Sequence, residues 1–313
     1  MITRRQALAG FGTLPLSAKA HAETIVLRAG DQKGGAQSLM KAAGVLNDLP
    51  YRLDWSQFPA AALLLEALNA GAVDLSFAGD APTTFALAAG LQAKIVGAIR
   101  GSGASTAIMV PASSAIRSVA DLRGRKIATN RGSIGHALVL AVIAAQGWTP
   151  SDITLVNLLP NEAKSALSIG AVDAWCSWGV YVALARLEDQ ARVVVDGSNG
   201  LLTGLSYVVA SDTAIGQRRA ALLDFCRRIA IARRWAQAHP QDYASVLAAE
   251  IGVSEKVARL VFDTETPLPV PIDTAVIADE QKTADRYANS GLVRTRLEAP
   301  RLFDASFNAA LGT

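Results

Sequence analysis

The chain has 313 residues, 30 basic against 27 acidic, and 51% of it is hydrophobic. That is enough apolar material for one large core or two smaller ones, and the near-balance of charge leaves no basic field to draw in nucleic acid. No later stretch approaches the roughly eighteen uninterrupted apolar residues of a bilayer span.

Residues 1–22 read as a targeting segment. Arg4 and Arg5 form its charged start, residues 7–17 a weakly apolar run, and Ala20-His21-Ala22 a small-x-small cleavage site. The segment holds no acidic residue, and Thr3-Arg4-Arg5-Gln6-Ala7-Leu8 partly resembles a twin-arginine signal with Ala7 in place of the usual Phe. Arg4, Arg5 and Lys19 lie inside it, so the mature chain carries 27 residues of each sign. No cysteine neighbours the cleavage site, which predicts a free periplasmic product without a lipid anchor.

Strand and helix signals then alternate. Residues 24–29 predict a strand, Gly34-Gly35 open a helix reaching about residue 46, and 51–55 predict the next strand. Pro59 precedes an Ala/Leu helix over 60–70 that stops at Gly71. A strand over 73–78 ends at Gly79-Asp80, with Pro82 just inside the following helix. Two more strands, 94–99 and 107–110, precede a crossing segment over 111–121. The pattern restarts with strands over 126–129, 153–157 and 172–177 around helices over 133–146 and 161–169. Residues 192–196 close that part and 205–210 return the chain to the first. The final third is helical, and the arginine pairs 218/219, 227/228 and 233/234 lie off the apolar stripe of the helix over 217–239, as a solvated face would.

Two matched repeats organise this alternation. Ala67-Leu68-Asn69-Ala70-Gly71-Ala72-Val73-Asp74 recurs as Ala166-Leu167-Ser168-Ile169-Gly170-Ala171-Val172-Asp173. Upstream, Gln32-Lys33-Gly34-Gly35 answers to Asn130-Arg131-Gly132-Ser133. The pairing predicts an α/β fold of two similar lobes, 23–110 with 204–313 and 111–203, joined by a hinge crossed twice, with a ligand cleft between them. Ligands of open α/β sheets sit at the carboxyl ends of strands, where helix N-termini present backbone N–H groups. Gln32, Lys33, Gly34, Gly79, Asp80, Ala81, Ser102, Gly132 and Ser133 occupy such loops, and the array suits a small oxyanion. Laid on one another, the repeats set Gly79-Asp80 opposite Trp178-Gly179, so Trp178 faces the cleft while Trp175 packs in the core. Lys33 serves equally well as an anion contact or a solvated charge. His136 and His239 lack metal-ligand spacing, so no metal and no cofactor are expected, and Cys176 and Cys226 read as two buried free thiols.

These residues also carry a family resemblance. Leu64-Leu65-Glu66-Ala67-Leu68, Gly71, Asp74, Gly79-Asp80 and Pro82 resemble the signature of solute-binding proteins for aliphatic sulfonates in ABC importers. Ser118-Val119-Ala120-Asp121-Leu122-Arg123-Gly124-Arg125-Lys126-Ile127-Ala128 is similar to the family's entry into its second lobe, and Arg131-Gly132-Ser133, His136, Asp173-Ala174-Trp175 and Trp178 continue the match. Taurine-, nitrate- and pyrimidine-precursor-binding proteins share much of the pattern. The resemblance implies a type II periplasmic binding fold whose ligand, an alkanesulfonate or similar anion, is held by Gln32-Lys33-Gly34, Asp80-Ala81, Ser133 and Trp178. It further implies a monomer that delivers this ligand to an inner-membrane permease and does no covalent chemistry. The rival is an enzyme on the same scaffold, such as a desulfinase with Cys176 as nucleophile, but no His lies near Cys176 in sequence to activate it. The family often has Trp-Asp-Pro-Tyr where this chain has Trp178-Gly179-Val180-Tyr181. Without that carboxylate, a taurine-type ammonium would be buried unpaired, which favours unsubstituted alkanesulfonates.

N-terminal sequencing of the exported protein is expected to begin at or near Glu23; an intact Met1 in the periplasmic fraction would contradict the targeting segment.

Overall fold

The computed structural model describes residues 25–312, so the targeting segment and its cleavage point lie outside the described residues. The first stretch runs β1 (Val26–Gln32), α1 (Ala36–Ala42), β2 (Arg52–Phe58), α2 (Ala61–Asn69), β3 (Leu75–Gly79), α3 (Asp80–Ala88) and β4 (Ala93–Arg100). The second runs β5 (Thr106–Val110), β6 (Lys126–Thr129), α4 (Ile134–Ala145), β7 (Thr154–Asn157), α5 (Pro160–Ser168), β8 (Ala174–Trp178), α6 (Val180–Leu187) and β9 (Arg192–Asp196). The third holds β10 (Leu205–Ser211), α7 (Asp212–Gln217), α8 (Arg219–Ala238), α9 (Pro240–Ile251), α10 (Glu255–Thr264), β11 (Leu268–Val270), α11 (Thr274–Asn289) and α12 (Asn308–Leu311). Helix α1 stops short of the expected residue 46 because Gly44, at φ 66°, turns the chain while its N–H bonds to Lys41 O and that of Val45 to Met40 O.

Two sheets result, in the orders β11-β4-β10-β3-β1-β2 and β7-β6-β8-β5-β9. Their plans match. The parallel trio β2-β1-β3 corresponds to β7-β6-β8, and each trio is flanked by one antiparallel strand, β10 or β5. In both sheets that antiparallel strand is the first one laid down after the chain crosses over. The expectation that 107–110 belongs with the first lobe is therefore corrected: β5 pairs with β8 and β9, and the crossing falls at 101–105. An unbroken apolar run such as Thr-Ala-Ile-Met-Val suits the middle of either sheet, so periodicity could not choose between them.

The repeats do the same work twice. Asp74 Oδ2 accepts the N–H of Arg28 at 2.9 Å, and Asp173 Oδ2 accepts that of Lys126 at 2.8 Å. Each carboxylate thus ties the start of its third strand to its first. Gly34 and Gly132 both sit at φ 75°, and Gly71 and Gly170 at 71° and 70° close the preceding helices. The left-handed turn at each matched position is what glycine supplies without strain.

Helices cover both faces of each sheet. Leu27, Leu39, Met40, Phe225 and Ile229 form the core on one side of the first sheet, and Leu64, Leu68, Tyr207 and Val276 the core on the other. Trp175, Met109 and Val182 pack under the second sheet, with Ile108, Leu138 and Cys176 on its opposite face. Full burial of each large side chain contributes about 1.5–3 kcal/mol. Of the arginine pairs, Arg227 and Arg234 lie on the expected solvated face, and the others are half-buried. Arg218, just ahead of α8, donates to Val26 O and Arg228 to Val45 O and Asn47 O, so they strap the helix to the β1–α1–β2 unit.

The two crossing segments, 101–105 and 197–204, run against each other backbone to backbone. Gly101 N–H bonds to Gly204 O at 2.9 Å. A Cβ on Gly204 would lie 2.1 Å from Gly101 O, and one on Gly103 2.6 Å from Gly197 O. Both glycines also have positive φ, 69° and 85°. Gly204→Ala is therefore expected to destabilise the protein by roughly 1–3 kcal/mol or more, read as a lowered melting temperature; an unchanged value would mean the crossings pack more loosely than described.

Candidate ligand-binding cleft

A cavity of about 200 Å³ lies where the two lobes and the crossings meet. Drug-sized ligands take roughly 300–1,000 Å³, so this space suits a small molecule. Gln32 at the end of β1, Ala61 at the start of α2, and Gly79 and Pro82 around the start of α3 line it from the first lobe. Ser133, Ile134, Trp178 and Gly179 line it from the second, and Ser105, Thr106 and Ser206 add hydroxyls from the crossings and the strands they enter. Among the described residues, its lining includes no lysine or arginine and one carboxylate, Glu265.

An anion here has to be held by neutral donors and helix ends, and the helix ends are not equivalent. The start of α1 is already filled by Asp31, which accepts the N–H groups of Gln32 and Gln37, both at 2.8 Å. Burial raises the Asp31 carboxyl to about 6 against the lowering effect of those N–H groups. The start of α3 carries Asp80, which takes the N–H of Ala81 at 2.6 Å, and the start of α5 carries Glu162, bonded to Leu159 N–H. Helices α2, α4 and α6 have no acidic residue in their first turns. Their starts, at Ala61, Ser133-Ile134 and Gly179, reach the cavity, as does that of α3 at Gly79 and Pro82, whose first N–H Asp80 has taken. Each offers about half a positive charge and N–H groups without an intrahelical acceptor.

The α4 end is built closely. Ser133 caps it, its Oγ accepting the N–H of His136 at 3.2 Å. Gly135 lets the helix start sit against β8, since a Cβ there would lie 2.6 Å from Thr129 Oγ1 and 3.0 Å from Cys176 O. His136 Nδ1 accepts the Gly132 N–H at 3.1 Å, and burial, with Arg131 nearby, lowers its pKa to about 4, so the ring is neutral. Trp178 meets Tyr181 edge-on, with ring centroids 6.3 Å apart, and presents its indole to the cavity wall.

Of the residues expected from sequence, Gln32, Gly79, Ser133 and Trp178 line the cavity. Lys33 and Gly34 instead line a neighbouring groove between the lobes, with Tyr181 and Glu250. Asp80 is turned away from the cleft. Its carboxylate accepts from Thr203 at 2.5 Å and Thr283 at 3.0 Å, and burial raises its pKa. Ala81 lies buried behind it with its N–H spent on Asp80. Gly132 has its N–H committed to His136, and a Cβ on it would lie 3.0 Å from the Phe85 ring. Ser102 is exposed, its Oγ accepting the Ala104 N–H. Cys176 is buried, donates to Gly135 O at 3.2 Å, and burial pushes its thiol up, away from the thiolate a nucleophile needs. Glu265 was not anticipated; its only sequence signal is its place just ahead of the extended Pro267–Pro271 segment.

Two lobes of one plan around a small cavity, reached by two crossings, make the architecture of type II periplasmic binding proteins. A model described as NMT1/THI5 like matches residues 57–243, and the chain belongs to that family. It is 32% identical over 302 residues, 93% of each chain, to an aliphatic sulfonates-binding protein of Escherichia coli (strain K12). Among solved structures it is similar to the alkanesulfonate-binding protein SsuA from Xanthomonas axonopodis pv. citri bound to MOPS, with 32% identity, a TM-score of 0.83, and 90% of this chain and 99% of that one covered. The periplasmic aliphatic sulphonate binding protein SsuA from Escherichia coli matches with 30% identity and a TM-score of 0.80 over 90% of this chain and 92% of its own.

Proposed function

We propose that this protein is the periplasmic solute-binding component of an ABC importer, capturing aliphatic sulfonates in the interlobe cleft and delivering them to a membrane permease. The observation that carries the reading is the convergence of the α2, α4 and α6 starts, free of the protein's own carboxylates, on one small cavity. The relatives named above add the ligand class. A sulfonate is a monoanion with three acceptor oxygens, which matches three dipole ends and several hydroxyls. A dianion such as sulfate would bring a second charge that this lining does not balance. Trp178, Ile134, Leu202 and Leu205 give the organic group an apolar wall. The protein works by binding alone, as a monomer, with Cys176 a packing residue. Export through the N-terminal segment, by the twin-arginine or the general route, belongs to the same reading.

Ser133 is the residue to test. Ser133→Ala removes a hydroxyl that donates to the anion, a charge-assisted bond worth about 1.5–3 kcal/mol, so the Kd for butanesulfonate is expected to rise by a factor on the order of ten to a hundred. The same change removes the α4 cap and costs about 0.5–2 kcal/mol of stability, which a thermal melt reads separately. An unchanged Kd measured by calorimetry would place the ligand elsewhere.

A further inference from the structure

Glu265 ends α10 and lies in the cavity wall. Its Oε1 accepts the Gly103 N–H at 2.6 Å and its Oε2 the Ser105 N–H at 3.3 Å, which holds the carboxylate against the first crossing. The position exists because Gly101 has no side chain: a Cβ there would lie 2.0 Å from Oε1. The neighbouring hydroxyls are committed elsewhere, Thr264 to Leu260 O and Thr266 to Phe262 O. An ionised carboxylate offers about four acceptor sites, so the two backbone bonds leave room for donors from the cavity.

The charges around it do not cancel. Arg233 on α8 is the cation whose field reaches both Asp31 and Glu265. It makes no ion pair with either among the described residues, and its Nε is buried without a hydrogen-bond partner. One guanidinium thus stands against two carboxylates. Asp31 is occupied by the start of α1, which leaves Glu265 as the negative group that a ligand meets. An incoming sulfonate adds another negative charge to a space of about 200 Å³. The end of the ligand that faces Glu265 is favoured if it carries a positive charge or a donor.

We propose that Glu265 selects the far end of the ligand, so that the cleft prefers sulfonates bearing an ammonium group a few bonds from sulfur over plain alkanesulfonates of the same length. This rests on the sulfonate reading of the cleft and reverses the expectation drawn from Gly179. That expectation weighed one wall. Gly179 indeed contributes no carboxylate, and its φ of 54° and ψ of −127° strain any other residue there, but Glu265, bonded to the same Ser105 whose carbonyl takes the Gly179 N–H, supplies one.

Calorimetry at pH 7 with two matched pairs, 2-aminoethanesulfonate against ethanesulfonate and 3-aminopropanesulfonate against propanesulfonate, tests this on the unmodified protein. The amino member of at least one pair is expected to bind about tenfold more tightly or better. Glu265→Gln keeps the shape and removes the charge, so within each pair the ratio of the two Kd values should fall to within a few-fold of one, whatever the change in overall affinity. Equal or tighter binding of the plain members to the unmodified protein overturns the proposal while leaving the sulfonate reading intact. An equal loss for both members in Glu265→Gln also overturns it, because a hinge clamp alone would act on every ligand alike. Binding of none of the four overturns the sulfonate reading itself.

Discussion

A cleft that holds an anion without lysine or arginine depends on where the protein keeps its own carboxylates. Six helices follow the parallel strands of the two lobes, and half of those starts are neutralised from within, by Asp31, Asp80 and Glu162. The starts of α2, α4 and α6 are left, and all three reach the cavity. The arrangement separates two uses of one feature. A helix start filled by a carboxylate, buried in the case of Asp31 and Asp80, becomes a structural joint, and a helix start left empty is free to serve as a binding surface. Asp80 shows the first use: through Thr203 it fastens the second crossing to α3, and through Thr283 it fastens α11 to the same point.

The same joints bear on how the lobes move. The crossings pack through glycines with no side chains to interlock, while both flanks of the cavity are bridged by apolar contacts between lobes. On one flank Val180 and Ala183 of α6 pack with Leu247, Ile251 and Val257 of α9 and α10. On the other, Gly132 lies against Phe85, and the His136 ring is 6.5 Å from that of Tyr287. Opening such a cleft would have to separate both contacts about the two crossings, as a two-position hinge does. A ligand that bonds to both lobes adds to these contacts only when they are made, so binding and closure share one free energy.

Much of this was legible in the sequence. The repeats announced two lobes of one plan because Asp74 and Asp173, Gly34 and Gly132, and Gly71 and Gly170 meet identical local demands, and local demands leave residue signatures. Gln32, Gly79, Ser133 and Trp178 could be placed at the cavity because strand ends and helix starts fix where a backbone position lies. The direction of a flexible side chain is a tertiary matter. Asp80 sits beside the cleft in sequence but turns inward to Thr203 and Thr283, which come from segments far along the chain. Glu265 comes to the cavity only because Gly101 and Gly103 make space for it. The assignment of β5 to the second sheet was hidden for a related reason: an all-apolar strand carries no mark of which neighbours will pair with it.

The central claim is that the sulfonate rests on the helix starts of α2, α4 and α6. A crystal structure of the protein with a bound alkanesulfonate tests it most directly. The account predicts sulfonate oxygens within hydrogen-bond distance of Ser133 Oγ and of main-chain N–H groups at the start of α4 and at least one of the other two helices, with the organic group against Trp178. A sulfonate found instead in the groove beside Lys33, or bonded to the N–H groups at the start of α1, would contradict it.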